Sequence, residues 1–251
     1  MKNPKPNEVI KRILALQLLS DRGWKEVDFQ SDKISLKEKN DSIKIFNKLK
    51  KWATDEKITS YLTKNEYEKY NKDLGTLKIE EYAELTWQIE KLIPLLWAIG
   101  GINELPEFSM QCQKEYYDDL FFFKPEPIKL INKKYLTSEK NLIRSNNEIE
   151  LYNDAYMLYN WRCKEILLGN KKRINIKAEI PKFFGNEISD AFNLLPLEKN
   201  GDIFVETLSL IITELNKTEL SLVQKLVEYR QYAFIWLSGA EKDWELITTD
   251  T

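Results

Sequence analysis

Along most of the chain, apolar residues recur every three or four positions between short polar interruptions, the pattern of amphipathic helices. In the first such stretch Asn7 is placed as a cap, Ile10, Ile13, Leu14 and Leu18 share one face, and Gly23 marks the stop. A second helix fits roughly Asp41 to Trp52, where Ile45, Phe46, Leu49 and Trp52 fall together. Thr63-Lys64-Asn65-Glu66 has the capping-box order and opens a short helix that ends before Gly75.

The strongest periodicity lies in "IEEYAELTWQIEKLIPLLWAIGG". Tyr82, Thr86, Ile89, Ile93 and Trp97 line one face and Leu85, Leu92, Leu96 and Ile99 its neighbour, so the second half is apolar nearly all round and belongs at the centre of the fold. Pro94 should kink this helix or break its hydrogen-bond ladder, and Gly100-Gly101 stops it. The aromatic segment from Glu107 to Pro127 reads as a surface connection with buried anchors. Ile149, Tyr152, Tyr156, Tyr159, Cys163 and Ile166 then trace a helix stopped by Gly169. Residues 170 to 202 read as irregular. Residues 203–215, "IFVETLSLIITEL", fit a helix through Phe204, Leu208, Ile211 and Leu215, although "SLIIT" alone would suit a strand; length favours the helix. In the last helix Leu222, Leu226, Ala233 and Leu237 face inward and Gly239 ends it. No two-residue hairpin signal sits between alternating runs. The pattern predicts an all-α fold of about seven to nine helices with little or no strand. It forms one domain over residues 1–251, with an irregular connection that would divide it, if anywhere, into 1–107 and 138–251.

Composition narrows the chemistry. The chain has 251 residues, 43% hydrophobic and 12% aromatic, enough for a sizeable core. Its formal net charge of -2 offers no basic excess toward nucleic acid or an anionic membrane. There is no histidine, which removes the commonest metal ligand and general base. Cys112 and Cys163 stand apart, outside any zinc-binding pattern, and read as free buried thiols. No metal or cofactor is expected. No glycine-rich phosphate loop or nucleophile elbow occurs. The start lacks a signal-type apolar stretch, and the longest apolar run, Leu92 to Gly100, is too short to span a bilayer. These features predict a cytoplasmic protein.

A few residues remain as candidates. Glu90 lies inside an apolar helix, either as a functional buried acid or as a structural carboxylate paired to a cap or an arginine. Arg162 and Arg230 sit on aromatic-rich helices and suit a carboxylate or phosphate fork. The alternative is an ion pair with Glu90, Asp250 or the terminal carboxylate. Tryptophans 24, 52, 87, 97, 161, 236 and 244 read mostly as core or helix contacts, with an aromatic and acidic cleft as the other reading. Asp118-Asp119 lacks a second carboxylate motif and reads as solvated loop. The closing "DWELITTDT" is too apolar for a frayed tail; Trp244 and Ile247 are expected to dock, and Asp250 to meet a fixed cation.

Three blocks together, "LTWQIEKLIPLLWAIGGINELP" (85–106), "ELYNDAYMLYNWRCKEI" (150–166) and "YRQYAFIWLSGAEKDWELITTDT" (229–251), resemble the bacterial family of domain of unknown function 4272. By position Trp87, Glu90, Leu96, Trp97, Gly100 and Pro106 match its first block and Trp161 and Arg162 its second. Trp236, Leu237, Trp244, Asp250 and Thr251 match its third. Gln88 stands where that family carries arginine, Ile235 where it carries asparagine, and Pro94 in a helix usually free of proline. An active site built on the first block's arginine would be lost here. The resemblance implies a helical fold and no reaction.

The network expected from these residues therefore comprises Trp87, Glu90, Trp97, Trp161, Arg162, Arg230, Trp236, Trp244 and Asp250. The reading is a non-catalytic interaction protein whose partner is another protein, such as an immunity protein that neutralises a toxin or an accessory of a defence system. The alternative is a small-molecule or nucleotide-binding enzyme using Glu90 with Arg162 and Arg230. An open cleft gathering these residues would favour the enzyme, and burial in a closed network the interaction protein. The oligomeric state is not legible.

Overall fold

The structure, a computed structural model, describes residues 3–112, 123–125, 128–130 and 144–249. It is all-α, and its residues divide into two units. The N-terminal unit is Lys5–Ile102 with Gln113–Leu142; the C-terminal unit is Met1–Pro4 and Asn103–Cys112 with Ile143–Thr251.

In the N-terminal unit α1 runs from Pro6 to Gln30. It begins one residue before Asn7, because Pro6 supplies a ready-made first-turn φ and the Glu8 carboxylate accepts the Lys5 N–H at 2.6 Å. It also runs straight through Gly23, the expected stop. Gly23 is a point of close approach: a Cβ there would lie 2.6 Å from the Thr86 nitrogen and 2.9 Å from the Leu85 carbonyl carbon. Only a residue without a side chain lets α1 pack so closely on the backbone of the helix it crosses. α2 (Leu36–Asp55) starts earlier than its apolar spacing suggests, since Ser35 and Glu38 form a reciprocal capping box. A 3-10 turn (Ile58–Tyr61) leads to α3 (Lys64–Asn71), capped by Thr63 and Glu66 as predicted.

The long apolar stretch forms two helices, α4 (Ile79–Thr86) and α5 (Gln88–Ala98). The break falls at Trp87, not at Pro94, which lies within α5. At the break the Gln88 side chain replaces its own backbone N–H, donating from Nε2 to the Glu84 carbonyl at 3.2 Å. Leu92 through Ile99 are all buried, as the all-round apolar pattern requires. In the same unit β1 (Phe123–Pro125) pairs antiparallel with β2 (Ile128–Leu130), Lys124 opposite Lys129.

In the C-terminal unit two long helices pack on each other: α6 (Asn146–Leu167), capped by Ser145, and, last in the chain, Lys217–Leu237, capped by Asn216. Aromatic rings fill the seam. Phe234 stacks on Tyr156 at 5.2 Å and Tyr152 at 5.8 Å, and Phe108 covers Tyr156 and Tyr159 at 4.5 and 5.3 Å. Between the two helices the stretch expected to be irregular contains one-turn helices α7 (Ile176–Glu179) and α8 (Pro181–Phe184) and a 3-10 helix, Asn186–Asn193. The last helix is therefore α9. Its inward row is Val223, Leu226, Val227, Arg230, Ala233, Phe234 and Leu237; Leu222, expected inside, is 49% exposed at the edge of that face.

Residues 203–215 are not a helix. β3 (Phe204–Val205) and β4 (Leu210–Ile211) form a short antiparallel pair, reversed at Ser209 with φ 54°. Pairing between neighbouring segments overrides the helical periodicity: the Phe204 N–H donates to Pro196 O at 2.7 Å and the Ile212 N–H to Ile203 O at 3.0 Å. Leu208, one of the expected face, is exposed, while Ile203, Val205, Ile212 and Leu215 are buried.

Candidate functional site

Each unit is held by an arginine that rises from a long helix into the interior. In the N-terminal unit Arg22 and Glu26, one turn apart on α1, are both fully buried and paired. Arg22 donates to the carbonyls of Lys72 and Asp73 at 3.4 and 3.1 Å and lies 4.8 Å over the Phe46 ring. Glu26 accepts from the Gly75 and Leu77 N–H groups, both at 3.0 Å, and from Gln30 at 2.7 Å. The pair thereby fixes the 72–77 connection between α3 and α4 against α1. Gly75 sits there with φ 92°, and a Cβ would stand 2.5 Å from the Phe29 ring. Burial pushes the Glu26 pKa up, but the bonds from Arg22, Gly75 and Gln30 outweigh it and hold it below the ordinary carboxylate value. Nearer the start of α1, Arg12 pairs with the capping glutamate Glu66.

In the C-terminal unit Arg162 of α6 meets Asp202 in a two-pronged fork, Nε to Oδ1 at 2.9 Å and Nη2 to Oδ2 at 2.7 Å. Arg162 also donates to the carbonyls of Lys172 and Asn170. Asp202 accepts in addition the N–H groups of Ile174 and Ile203 at 3.2 and 2.9 Å. Both side chains are fully buried. Arg230 of α9, also fully buried, donates to the carbonyls of Glu107 and Met110 at 2.9 and 2.6 Å. The same 107–110 turn is gripped through Ser109, whose hydroxyl bonds Glu206 at 3.2 Å and Thr207 at 3.1 Å. Burial, with Glu107 adding to it, raises the Glu206 pKa. Burial also raises the Tyr159 phenol, and its buried oxygen has no hydrogen-bond partner among the described residues.

A third arrangement joins α6, α9 and the segment after α9. Trp244 and Ile247 are buried. The Trp244 ring meets Tyr232 and Trp236 edge-on at 5.0 and 5.4 Å. Tyr232 donates to the Trp244 carbonyl, and Trp236 Nε1 to the Lys242 carbonyl at 3.3 Å. Lys164 Nζ and Asn160 Nδ2 reach the Thr249 carbonyl at 2.6 and 3.3 Å, while the Thr249 hydroxyl donates to Glu228 at 2.7 Å. Asn160, itself buried, is oriented by Gln231 at 2.6 Å and Gln224 at 3.0 Å.

Of the residues singled out in the sequence, Trp87, Glu90 and Trp97 belong to the N-terminal unit. Trp87 is half-buried at the α4–α5 break, and Glu90 and Trp97 are buried on α5. Trp161, Arg162, Arg230, Trp236 and Trp244 belong to the C-terminal unit. There Trp236 and Trp244 meet, Trp161 touches Phe184 edge-on at 6.1 Å, and the fork on Arg162 comes from Asp202, which was not among the expected acids. Asp250 and Asp118-Asp119 lie outside the described residues. Trp24, expected in a helix contact, is 54% exposed. The sequence reading missed Asp202, Arg22 with Glu26, and the polar row Asn160, Gln224, Glu228 and Gln231. The four-residue spacing of Arg22 and Glu26 was a usable signal once α1 is known to pass Gly23. Asp202, in a stretch without periodicity, carried none.

Among the described residues no three histidine, cysteine, aspartate or glutamate side chains cluster so as to hold a metal ion, and no helix is long and apolar enough to cross a membrane. Fold and site together define an all-α protein whose loops are tied to its long helices by buried arginines. The chain belongs to the family described as "Domain of unknown function (DUF4272)", which it matches over residues 1–178. That range takes in the blocks at 85–106 and 150–166 and stops before the one at 229–251. No curated protein and no solved structure matches the chain.

Proposed function

We propose that this protein is a non-catalytic, cytoplasmic interaction protein of bacterial type that works by binding another protein, as an immunity protein against a toxin or a defence accessory would. The observation that supports this reading is the burial of Arg162 and Arg230. An enzyme using them to hold an anionic substrate needs their N–H groups turned toward a ligand. Four bonds from Arg162 go to Asp202, Lys172 and Asn170, and Arg230 holds the carbonyls of Glu107 and Met110. Clamps of this kind hold a scaffold together and leave its surface for recognition. The test is isolation of the tagged full-length protein from its native host, followed by mass spectrometry. A single protein recovered in near-equal amount is the expected result. Recovery of the chain alone with a bound nucleotide or other small metabolite would overturn the proposal in favour of the enzyme.

A further inference from the structure

The way residues 242–249 are held is unusual for a tail, because most of the groups that hold it address its main chain. Trp236, Tyr232, Asn160 and Lys164 all donate to carbonyls, those of Lys242, Trp244 and Thr249. Side-chain selection is confined to the buried Trp244, the buried Ile247 three residues on, and the Thr249 hydroxyl on Glu228. Glu245, Leu246 and Thr248 point to solvent. The segment makes one 3-10 turn, Trp244–Leu246, between extended Asp243 and Ile247. Main-chain bonds that supply affinity, with spaced side chains that supply selectivity, are how proteins take up short peptide segments.

We propose that the surface formed by α6 and α9 is a binding site for a short segment of a partner protein that makes one 3-10 turn, as Trp244–Leu246 do here, and that residues 242–249 are its resident, displaceable occupant. The proposal rests on the protein-binding reading above. The fitting segment carries an aromatic residue, an aliphatic one three positions later and a serine or threonine two beyond that. Its carbonyls satisfy the four donors, and Lys164 and Glu228, 3.9 Å apart, flank the hydroxyl. The floor is already arranged, since Asn160 is fixed by Gln231 and Gln224 within the helix pair. The tail reaches the site from Gly239 through a short link in which Ala240 and Lys242 are exposed. Such tethering makes binding intramolecular, with an effective concentration on the order of millimolar for a short flexible link. The tail therefore sets a threshold: a partner segment must exceed it to enter, and weak or unspecific peptides are kept out.

The test uses the full chain with a protease recognition sequence inserted between Ala240 and Lys242, cut after purification. The probe is a fluorescent synthetic peptide of residues 240–249. The nicked protein should keep its helical circular dichroism, retain the severed tail through gel filtration, and exchange it for the labelled peptide. The intact chain should take up at least ~tenfold less label, and a peptide with Trp244→Ala should compete at least ~tenfold more weakly. Loss of helical signal on nicking would overturn the proposal, because the tail would then be an inseparable part of the core. So would a folded nicked protein that takes up no label. An intact chain running at twice its mass in light scattering, with exchanged tails, would also overturn it, since the occupant would be a second copy. No partner is needed for this assay. Exchange without any copurifying protein supports the groove and removes the functional reading; copurification without exchange does the reverse.

Discussion

Arg162 and Asp202, forty positions apart in sequence, meet through two parallel hydrogen bonds of 2.9 and 2.7 Å with neither side chain exposed. Removing one member of such a buried pair strands the other, at a cost of about 3–5 kcal/mol. Asp202→Ala should lower unfolding free energy by that amount in urea. The double variant Arg162→Met with Asp202→Leu should be less damaged than Asp202→Ala alone, because no charge is left without a partner. A loss below about 1 kcal/mol for Asp202→Ala would mean the fork contributes little.

Glu26 gives a pH dependence whose sign is fixed. Its ordinary pKa is 4.5, and its bonds hold the folded value lower. A carboxylate depressed on folding contributes stability above its unfolded pKa and loses it as pH falls through the folded value. The melting-temperature gap between the native chain and Glu26→Gln should therefore be widest near neutral pH and close as pH drops below 4.5. A gap that stays constant or widens on acidification would show that Glu26 is not held as a carboxylate.

Trp97 is buried on α5, within a run from Leu92 to Ile99 that is buried throughout. Trp97→Ala should cost about 3–5 kcal/mol, the range for emptying a large aromatic site. Chemical denaturation of the two proteins measures it.

Cys163 is fully buried on α6, and burial drives its thiol pKa well up. Thiolate is the reactive form, so iodoacetamide should leave Cys163 unmodified in the native protein and label it promptly in denaturant. Peptide mass mapping would read the result, and rapid native labelling of Cys163 would contradict its placement.

What was legible in the sequence was local. Thr63 with Glu66 announces α3, and glycines 100, 169 and 239 follow the ends of α5, α6 and α9 as expected. These signals act within one or two turns, so the chain itself carries them. Gly23 misled for the opposite reason. The rule that glycine ends helices is local, whereas its purpose here is an approach to Leu85 and Thr86, more than sixty residues away in sequence. The break at Trp87 and the strands at 204–211 are local as well, but they rest on a side chain replacing a backbone donor and on a short hairpin without a glycine turn, neither of which apolar periodicity reports. Arg162 and Arg230 were recognisable as candidates by residue type and surroundings. Their partners were not, since the acid that completes the Arg162 fork lies in a stretch with no periodicity to place it, and Arg230 takes carbonyls, which no sequence advertises.

Those carbonyls bear on how the protein can vary across relatives. Arg22 grips Lys72 and Asp73, Arg230 grips Glu107 and Met110, and Arg162 grips Asn170 and Lys172, each through the main-chain oxygen. Every amino acid, proline included, presents that oxygen. The gripped loops can thus exchange nearly all their side chains over evolutionary time while the three arginines must stay, because a lysine lacks the fork. Distant relatives should align poorly in these loops and be found by the arginines facing them.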